Sequence, residues 1–161
     1  MKRCGLLGEK LAHSYSPAIH AELADYDYRL YEVAPEKLGE FLKDGEFDGL
    51  NVTIPYKKAV IPYCVALSPI AQKLQSVNVL VRRTDGTLYG DNADAYGFAG
   101  MVKASGISVE GKKALVLGSG GASATVCAVL NEMDARSVTV ISRKGEDNYG
   151  NLERHADAEI I

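Results

Sequence analysis

The alternation of apolar and polar residues along the chain predicts short strands and helices that follow one another in turn. Strands are predicted over residues 3–8, 28–33, 47–54, 76–83, 88–90, 114–117, 137–142 and 158–161. Helices are predicted from Pro17, from Pro35, over 59–67, over 69–74, over 98–104, from 122 to about 133 and, weakly, over 152–156. This order is typical of an α/β protein.

Proline and turn residues fix several of these elements more closely. Pro17 suits the first turn of a helix, which predicts Ser16 as the N-cap and Ile19 and Leu23 on the buried face. Asp85-Gly86 is the strongest hairpin signal in the chain, so the strands on either side of it should be antiparallel.

A glycine-rich turn stands between the apolar run Ala114–Leu117 and the helical segment that follows. Gly118 would let the chain turn tightly, Gly120 would let the backbone approach a pyrophosphate, and Ser123 would keep helix and strand close. An ordinary turn between a strand and a helix could carry the same glycines. The strand before it and the helix after it favour dinucleotide binding at the helix N-terminus.

The segment Gly106–Gly111 is interpreted as a boundary between two domains. Residues 1–105 are predicted to form a mixed, mostly parallel α/β sandwich. Residues 106–161 are predicted to form a partial Rossmann-type domain, because a βαβαβ unit is half of the usual dinucleotide-binding sheet. We therefore expect a fragment, and we expect the unfinished sheet edge to favour self-association.

Composition narrows the function further. With 161 residues and a formal net charge of −3, the chain lacks the basic excess that nucleic-acid binding requires. No apolar run approaches the ~20 residues that span a membrane. The three cysteines are an odd number without C-x-x-C spacing, which is typical of reduced cytoplasmic proteins. No histidine and cysteine spacing predicts a metal site.

Two polar segments interrupt the apolar pattern of the first domain. Asn51 and Thr53 are predicted to share one face of a strand, with Lys57 just beyond its end, where ligands bind in open α/β sheets. The acidic loop Asp91–Asp94 follows the hairpin. A lysine and an aspartate that face one cleft can exchange protons with a bound hydroxyl. Taken alone, each is more typical of a solvated surface charge.

Four motifs in a fixed order make the chain resemble the shikimate dehydrogenase family, which includes the quinate/shikimate dehydrogenases. They are Ser14-Tyr15-Ser16-Pro17, Asn51-Val52-Thr53-Ile54-Pro55-Tyr56-Lys57, Val77-Asn78 and Gly90-Asp91-Asn92-Ala93-Asp94, with the glycine turn at the family's usual place. Agreement in several separated places is far more specific than a single motif.

The resemblance implies a role for each matching residue. Lys57 would be the catalytic lysine and Asp94 its partner on the same substrate hydroxyl. Ser14 and Ser16 would bind the substrate carboxylate, and Asn51, Thr53 and Asn78 the ring hydroxyls. Other roles are open for three of them: Ser16 as a helix cap, Thr53 as a strand former and Asn78 as a partner of a neighbouring loop.

Residues next to these positions are interpreted differently. Lys58 is predicted to be solvated, and Asp91 to be a turn residue rather than the catalytic acid. Two residues depart from the family pattern, which usually has threonine in place of Ala93 and glycine in place of Ala95. The first change would remove a hydroxyl near Asp94, and the second would strain the backbone if that site needed a positive φ.

The expected cofactor is NADP. The strand after the glycine turn leads into Ser142-Arg143-Lys144, where an NAD-specific site usually has an acidic residue. An arginine at this place can pair with a 2′-phosphate, although a solvated basic turn would look the same. The predicted cofactor-binding residues are Gly118, Ser119, Gly120, Gly121, Ala122, Ser123, Ser142, Arg143 and Lys144.

The activity that the resemblance implies is the reversible, NADP-dependent reduction of 3-dehydroshikimate to shikimate, in the pathway to chorismate and the aromatic amino acids. Two alternatives remain open. The chain could be a non-catalytic fragment that binds shikimate or part of NADP without turnover, and quinate could be the preferred substrate.

Overall fold

Residues Met1–Ala93 form one compact unit built on a mixed sheet, in a computed structural model that describes all 161 residues. Its strands are β1 (Arg3–Gly8), β2 (Asp27–Glu32), β3 (Gly49–Val52), β4 (Cys64–Leu67), β5 (Val79–Arg82) and β6 (Leu88–Asp91), in the order β2-β1-β3-β5-β6-β4. Three pairings are parallel (β1–β2, β1–β3 and β4–β6) and two are antiparallel (β3–β5 and β5–β6). The prediction of a mixed, mostly parallel sheet is confirmed.

Four short helices connect these strands: α1 (Ser16–Leu23), α2 (Leu38–Asp44), α3 (Tyr56–Ala59) and α4 (Pro69–Leu74). A 3-10 turn over Pro35–Lys37 leads into α2. Helix α4 begins where the sequence predicts, because the Ser68 hydroxyl accepts a hydrogen bond from the Ala71 amide at 3.2 Å.

The main core lies between one face of the sheet and α2. Leu38 and Leu42 of α2 are buried against Leu7, Leu50 and other apolar strand residues. The fully buried side chains of this core include Phe47, Val60, Val77 and Leu80. Burial of this kind stabilises a fold by roughly 25 cal/mol per Å² of apolar surface removed from water.

The predictions for α1 are wrong in two respects. Ile19 and Leu23 are 57% and 69% exposed, so this helix does not bury the face that the pattern predicts. Tyr15, not Ser16, occupies the N-cap position, because the helix already begins at Ser16. The α1 side chain that packs on the sheet is instead His20, whose ring stacks on Tyr28 at 3.8 Å between centroids.

The predicted helix over 59–67 is also wrong. Helix α3 ends at Ala59, a 3-10 turn follows over Ile61–Tyr63, and β4 then pairs in parallel with β6. Pro62 cannot donate a helical hydrogen bond, and the β-branched Val65 suits a strand. The pairing with β6 involves residues more than 20 positions later, which local periodicity does not reveal.

The second compact unit, Asp94–Ile161, contains a partial Rossmann arrangement. It comprises most of α5 (Ala93–Ser105), followed by β7 (Lys113–Leu117), α6 (Ser123–Glu132), β8 (Ser137–Ile141) and a 3-10 turn over Leu152–His155. Strands β7 and β8 are parallel in register, as expected of a βαβ unit. The predicted strand at 158–161 is reduced to one parallel bridge between Ile160 and Ala114.

Helix α5 begins earlier than the sequence predicts. The residues 91–97 were expected to form a loop, but the helix begins at Ala93 and carries Asp94 in its first turn. The two units divide between residues 93 and 94, at the beginning of this helix, whereas the predicted boundary of 105/106 lies at its other end. None of the helices has the length and apolar character that crossing a membrane would require.

Arg82 on β5 provides a test of how the first unit is held together. Its guanidinium donates to the carbonyl oxygens of Leu42, Gly45, Phe47 and Gly86 at 2.9–3.2 Å and lies 4.2 Å from the centre of the Phe47 ring. A lysine has neither the planar fork nor the donors for this set. We expect Arg82→Lys to lower the free energy of unfolding, measured in urea, by about 2 kcal/mol or more.

The neighbouring Arg83→Lys is the matched control. Arg83 is exposed and lies 5.1 Å from the Tyr89 ring, a contact that a lysine can also make. We expect it to change the free energy of unfolding by less than about 0.5 kcal/mol. Equal losses in the two variants would contradict the role given to Arg82.

Candidate active site

The segment that follows β3 turns sharply into α3 and carries two of the predicted site residues, Thr53 and Lys57. Strand β3 ends at Val52, so Thr53 lies just beyond it, with its amide donating to the Leu7 carbonyl at 2.9 Å. The Tyr56 amide donates to the Thr53 carbonyl at 2.9 Å, across a cis peptide bond between Ile54 and Pro55. Lys57 is therefore held in the first turn of α3, and its side chain is half-buried.

Two backbone hydrogen bonds join this segment to the start of β5. The Val52 amide donates to the Asn78 carbonyl, and the Val77 amide donates to the Lys57 carbonyl, each at 2.8 Å. Residues that lie 20 or more positions apart in the chain are thus fixed beside each other. The structure brings the segment 51–57 and Asn78 together at one end of the sheet.

Asn78 also fixes the beginning of α5. Its side-chain Oδ1 accepts a hydrogen bond from the Ala93 amide at 2.7 Å, and its own amide donates to the Asp91 carbonyl at 3.0 Å. Asn92, which is fully buried, donates from Nδ2 to the Ser76 carbonyl at 2.9 Å. Because all three bonds act on the segment 91–93, Asp94 follows immediately after a rigid stretch of backbone.

The two departures from the family pattern prove mild in the first turn of α5. Ala95 is buried in the helix, and positive φ among non-glycine residues occurs only at Gln75 and Asp134. The backbone strain that the sequence suggested at Ala95 is therefore absent. The side chain of Ala93 is exposed, while its amide makes the bond to Asn78. Asp91 accepts a hydrogen bond from the Asn92 amide at 2.7 Å, as a turn residue would.

Tyr28 joins the other predicted substrate residues, and sequence reasoning missed it. Its hydroxyl donates to Oδ1 of Asn51 at 2.8 Å. Burial raises the pKa of Tyr28 to about 12, although a hydrogen bond from the Ser16 side chain acts in the opposite direction. The side chains of Ser16 and Asn51 therefore both neighbour the Tyr28 phenol. The alternating pattern of 28–33 indicated only a strand.

Ser14 and Ser16 lie in a tight loop before and at the start of α1. The Ser14 amide donates to the Leu11 carbonyl at 2.9 Å, and the Ser16 amide donates to Ser14 Oγ at 3.2 Å. Both side chains are partly exposed, so an anionic group could reach their hydroxyls. The N-cap role considered for Ser16 is replaced by this loop.

In the second unit, the glycine turn and the basic segment after β8 follow the carboxyl ends of the parallel strands β7 and β8, at the same end of the sheet. Gly118 has a φ of +112°, a conformation that glycine alone adopts readily, and its amide donates to the Ile141 carbonyl at 2.8 Å. A Cβ at Gly120 or Gly121 would meet no protein atom within 4 Å. Because packing does not require these two glycines, they fit a place where a ligand approaches the backbone.

The other predicted cofactor-binding residues lie beside the glycine turn and just after β8. Helix α6 begins at Ser123, and no side chain caps its N-terminus. Arg143 and Lys144 follow β8 and are exposed, and Ser142 is partly exposed. The predicted cofactor-binding residues at this end of the sheet are Gly118, Ser119, Gly120, Gly121, Ala122, Ser123, Ser142, Arg143 and Lys144.

Cysteines and metal-binding groups form no further site. Cys4, Cys64 and Cys127 are free and partly exposed, and burial raises the pKa of the Cys4 and Cys64 thiols. No cluster of histidine, cysteine, aspartate and glutamate side chains could hold a metal ion.

Comparison with known proteins identifies relatives along the whole chain. Residues 6–80 match the family described as the shikimate dehydrogenase substrate binding domain. A shikimate dehydrogenase (NADP(+)) of Clostridium beijerinckii is 39% identical over 98% of this chain and 61% of its own length. One from Clostridium perfringens is 37% identical and matches all of this chain and 67% of its own length.

A solved structure shows the same fold. The shikimate 5-dehydrogenase of Thermus thermophilus, in complex with NADP(H) and shikimate, is 33% identical and superimposes with a TM-score of 0.80 over all of this chain and 63% of that one. The chain spans about 60% of the length of the relatives that it matches. On these matches, the chain belongs to the shikimate dehydrogenase family.

Proposed function

We propose that this chain carries the substrate-binding residues and the dinucleotide turn of an NADP-dependent shikimate dehydrogenase, which reversibly reduces 3-dehydroshikimate to shikimate. The observation that carries the proposal is the pair of 2.8 Å backbone hydrogen bonds that hold Lys57 and Asn78 side by side at the end of β3. A protein scaffold alone does not require a lysine at this place.

The substrate would be bound by hydroxyl and amide groups of the first unit. Ser14 and Ser16 would donate to its carboxylate, and Asn51, Thr53 and Asn78 would bind its ring hydroxyls. The Oδ1 atoms of Asn51 and Asn78 already accept hydrogen bonds from Tyr28 and from the Ala93 amide. Each amide therefore presents its Nδ2 donors to an oxygen of the ligand.

Lys57 and Asp94 would perform the proton transfer. As the substrate carbonyl becomes an alcohol, the Lys57 ammonium would give its proton to the oxygen, and it would take that proton back in the reverse direction. Asp94 would hold the same hydroxyl as an acceptor. Bound NADPH supplies the hydride, while the protein supplies orientation and charge.

The second unit would hold the cofactor through its glycine turn and its basic segment. The open backbone at Gly120 and Gly121 and the N-terminus of α6 suit a pyrophosphate. The Arg143 guanidinium can pair with a 2′-phosphate by charge-assisted hydrogen bonds. These residues together fit NADP rather than NAD.

A non-catalytic role is the second candidate, and one observation favours it. The sheet of the second unit has only two strands, and a cavity of about 500 Å³ beside it is lined by apolar side chains such as Val102, Leu117 and Ile161. A chain in this form could bind shikimate without turning it over. Self-association through the open sheet edge stays a prediction.

Two measurements on the wild-type chain separate these functions. Calorimetry with shikimate and with quinate measures binding, and the absorbance of NADPH at increasing 3-dehydroshikimate concentrations measures turnover. Binding with turnover supports the dehydrogenase, and binding without turnover supports the non-catalytic role. Stronger binding of quinate would instead assign the site to that substrate.

Replacing Lys57 by methionine tests the catalytic role. The side chain keeps most of its length but loses its proton, so we expect turnover to fall by about 10²- to 10⁴-fold. The fold should persist, because the hydrogen bond from Val77 is made by the Lys57 backbone carbonyl. Lys58→Met is the matched control, since Lys58 is exposed. A Lys57→Met enzyme with wild-type turnover would refute the role.

Replacing Arg143 by aspartate tests the choice of cofactor. We expect the dissociation constant for NADP to rise by about 10- to 100-fold, because a charge-assisted hydrogen bond is lost and a repulsive charge is added. The affinity for NAD should change by less than about threefold. Fluorescence titration with the reduced cofactors measures both.

Arg136→Asp is the control for long-range charge. Arg136 is exposed and precedes β8, whereas Arg143 follows it. Both substitutions replace an arginine by an aspartate and therefore change the net charge by the same amount. If Arg143→Asp lowered the affinities for NADP and NAD equally, a specific 2′-phosphate contact would be contradicted. The same holds if Arg136→Asp lowered the NADP affinity as much as Arg143→Asp does.

A further inference from the structure

Tyr28 reaches across a whole strand to touch a substrate residue. On β2 it is paired with Cys4 of β1, which is paired in turn with Gly49 of β3. Adjacent strands lie about 4.8 Å apart, so β2 and β3 are separated by roughly 10 Å. The side chains of Tyr28 and Asn51 bridge this distance together, on the face of the sheet that carries the small residues Cys4 and Gly49. Its hydroxyl reaches Oδ1 of Asn51 at 2.8 Å.

The ring of Tyr28 is fixed by aromatic contacts from α1 and from the start of β2. The His20 ring stacks on it at 3.8 Å with an interplanar angle of 12°, and the Tyr26 ring meets it edge-on at 6.2 Å. Nδ1 of His20 is hydrogen-bonded to the Tyr26 hydroxyl, which holds the stacking partner in place. The phenol oxygen of Tyr28 is therefore held by contacts that do not involve a ligand.

The hydrogen bond that Tyr28 donates decides which way the Asn51 amide faces. An asparagine amide can present either its oxygen or its nitrogen after a rotation of 180°. The Tyr28 hydroxyl donates its hydrogen to the amide, and only Oδ1 can accept it. The pKa of Tyr28, which burial raises to about 12, keeps that hydrogen on the phenol at neutral pH. Nδ2 of Asn51 is thereby directed away from Tyr28.

Ser16 makes a second contact with the same phenol, but that contact need not persist. A serine has one hydroxyl hydrogen, so the Ser16 side chain cannot donate to Tyr28 and to a carboxylate at the same time. Binding a carboxylate would exchange that bond for one to the ligand. The bond from Tyr28 to Asn51 uses a different hydrogen and is kept.

We propose that Tyr28 is a positioning residue of the substrate site, whose hydroxyl holds the Asn51 amide so that Nδ2 donates to an oxygen of the ligand. The inference rests on the proposed function, because it takes shikimate to be that ligand. A phenylalanine at this position would keep the ring stack and remove the constraint on the amide. The Asn51 amide could then rotate, and for part of the time it would present its oxygen, an acceptor, to the ligand oxygen.

Shikimate affinity, measured by calorimetry on the full chain, tests this role. We expect Tyr28→Phe to raise the dissociation constant about 5- to 10-fold, the effect of one lost hydrogen bond. Tyr31→Phe is the matched control, because Tyr31 is also on β2 but contacts Phe41 instead, at 5.2 Å between rings. It should change the dissociation constant by less than about twofold.

A double-mutant cycle separates positioning from a structural effect. If Tyr28 acts through Asn51, adding Tyr28→Phe to Asn51→Ala should weaken binding no further. Additive losses of affinity, or a Tyr28→Phe variant that binds shikimate as the wild type does, would overturn the proposal. A purely structural role would lower the thermal midpoint and the affinity in both backgrounds alike.

The side-chain amide signals of Asn51 give a readout that needs no ligand. In ¹H–¹⁵N spectra they are identified by their absence in Asn51→Ala, and we expect Tyr28→Phe to shift them while Tyr31→Phe leaves them in place. Unchanged Asn51 signals in Tyr28→Phe would overturn the positioning role even if shikimate binds. If the Asn51 signals shift in Tyr28→Phe but the wild-type chain binds no shikimate, the proposed function and its ligand are overturned instead.

Discussion

The site depends on one nearly buried asparagine that is bonded on three sides. The carbonyl of Asn78 accepts from Val52, its amide donates to Asp91, and its side chain accepts from the Ala93 amide. These bonds tie the end of β3, the end of β6 and the first residue of α5 to a single position. An unpaired polar group at such a place would cost about 1–3 kcal/mol, so each partner constrains the others.

The two faces of the first sheet have different roles because their residues alternate. Leu7, Leu50 and Leu80 face α2 and form the apolar core. The opposite face carries Tyr28 and Asn51, where α1 contributes a histidine ring in place of an apolar stripe. Stability comes mainly from the first face, so the second can keep polar groups in fixed positions for a ligand.

Local chemistry made much of this structure predictable. Asp85-Gly86 gives the hairpin between β5 and β6, with Gly86 at a φ of +84°. Gly118 adopts the positive φ that a tight turn after β7 demands. Both predictions hold because the conformation required is one that few residues other than glycine can adopt.

Features that depend on distant contacts were beyond the reach of sequence patterns. Strand β4 exists because it pairs with β6, and its residues alone suggested a helix. The exposure of Ile19 follows from the ring of His20 taking the contact with the sheet. The contact of Tyr28 with Asn51 joins residues 23 positions apart, and an aromatic residue in a strand ordinarily indicates packing alone.

The ligand proposed for the first unit is a small carboxylate that also carries ring hydroxyls. The most direct test is a titration of the ¹⁵N-labelled chain with shikimate, followed by backbone amide shifts. The account predicts saturable shifts that cluster at Ser14, Ser16, Asn51, Thr53 and Asn78. Shifts that are absent, or that are confined to residues of the second unit, would contradict it.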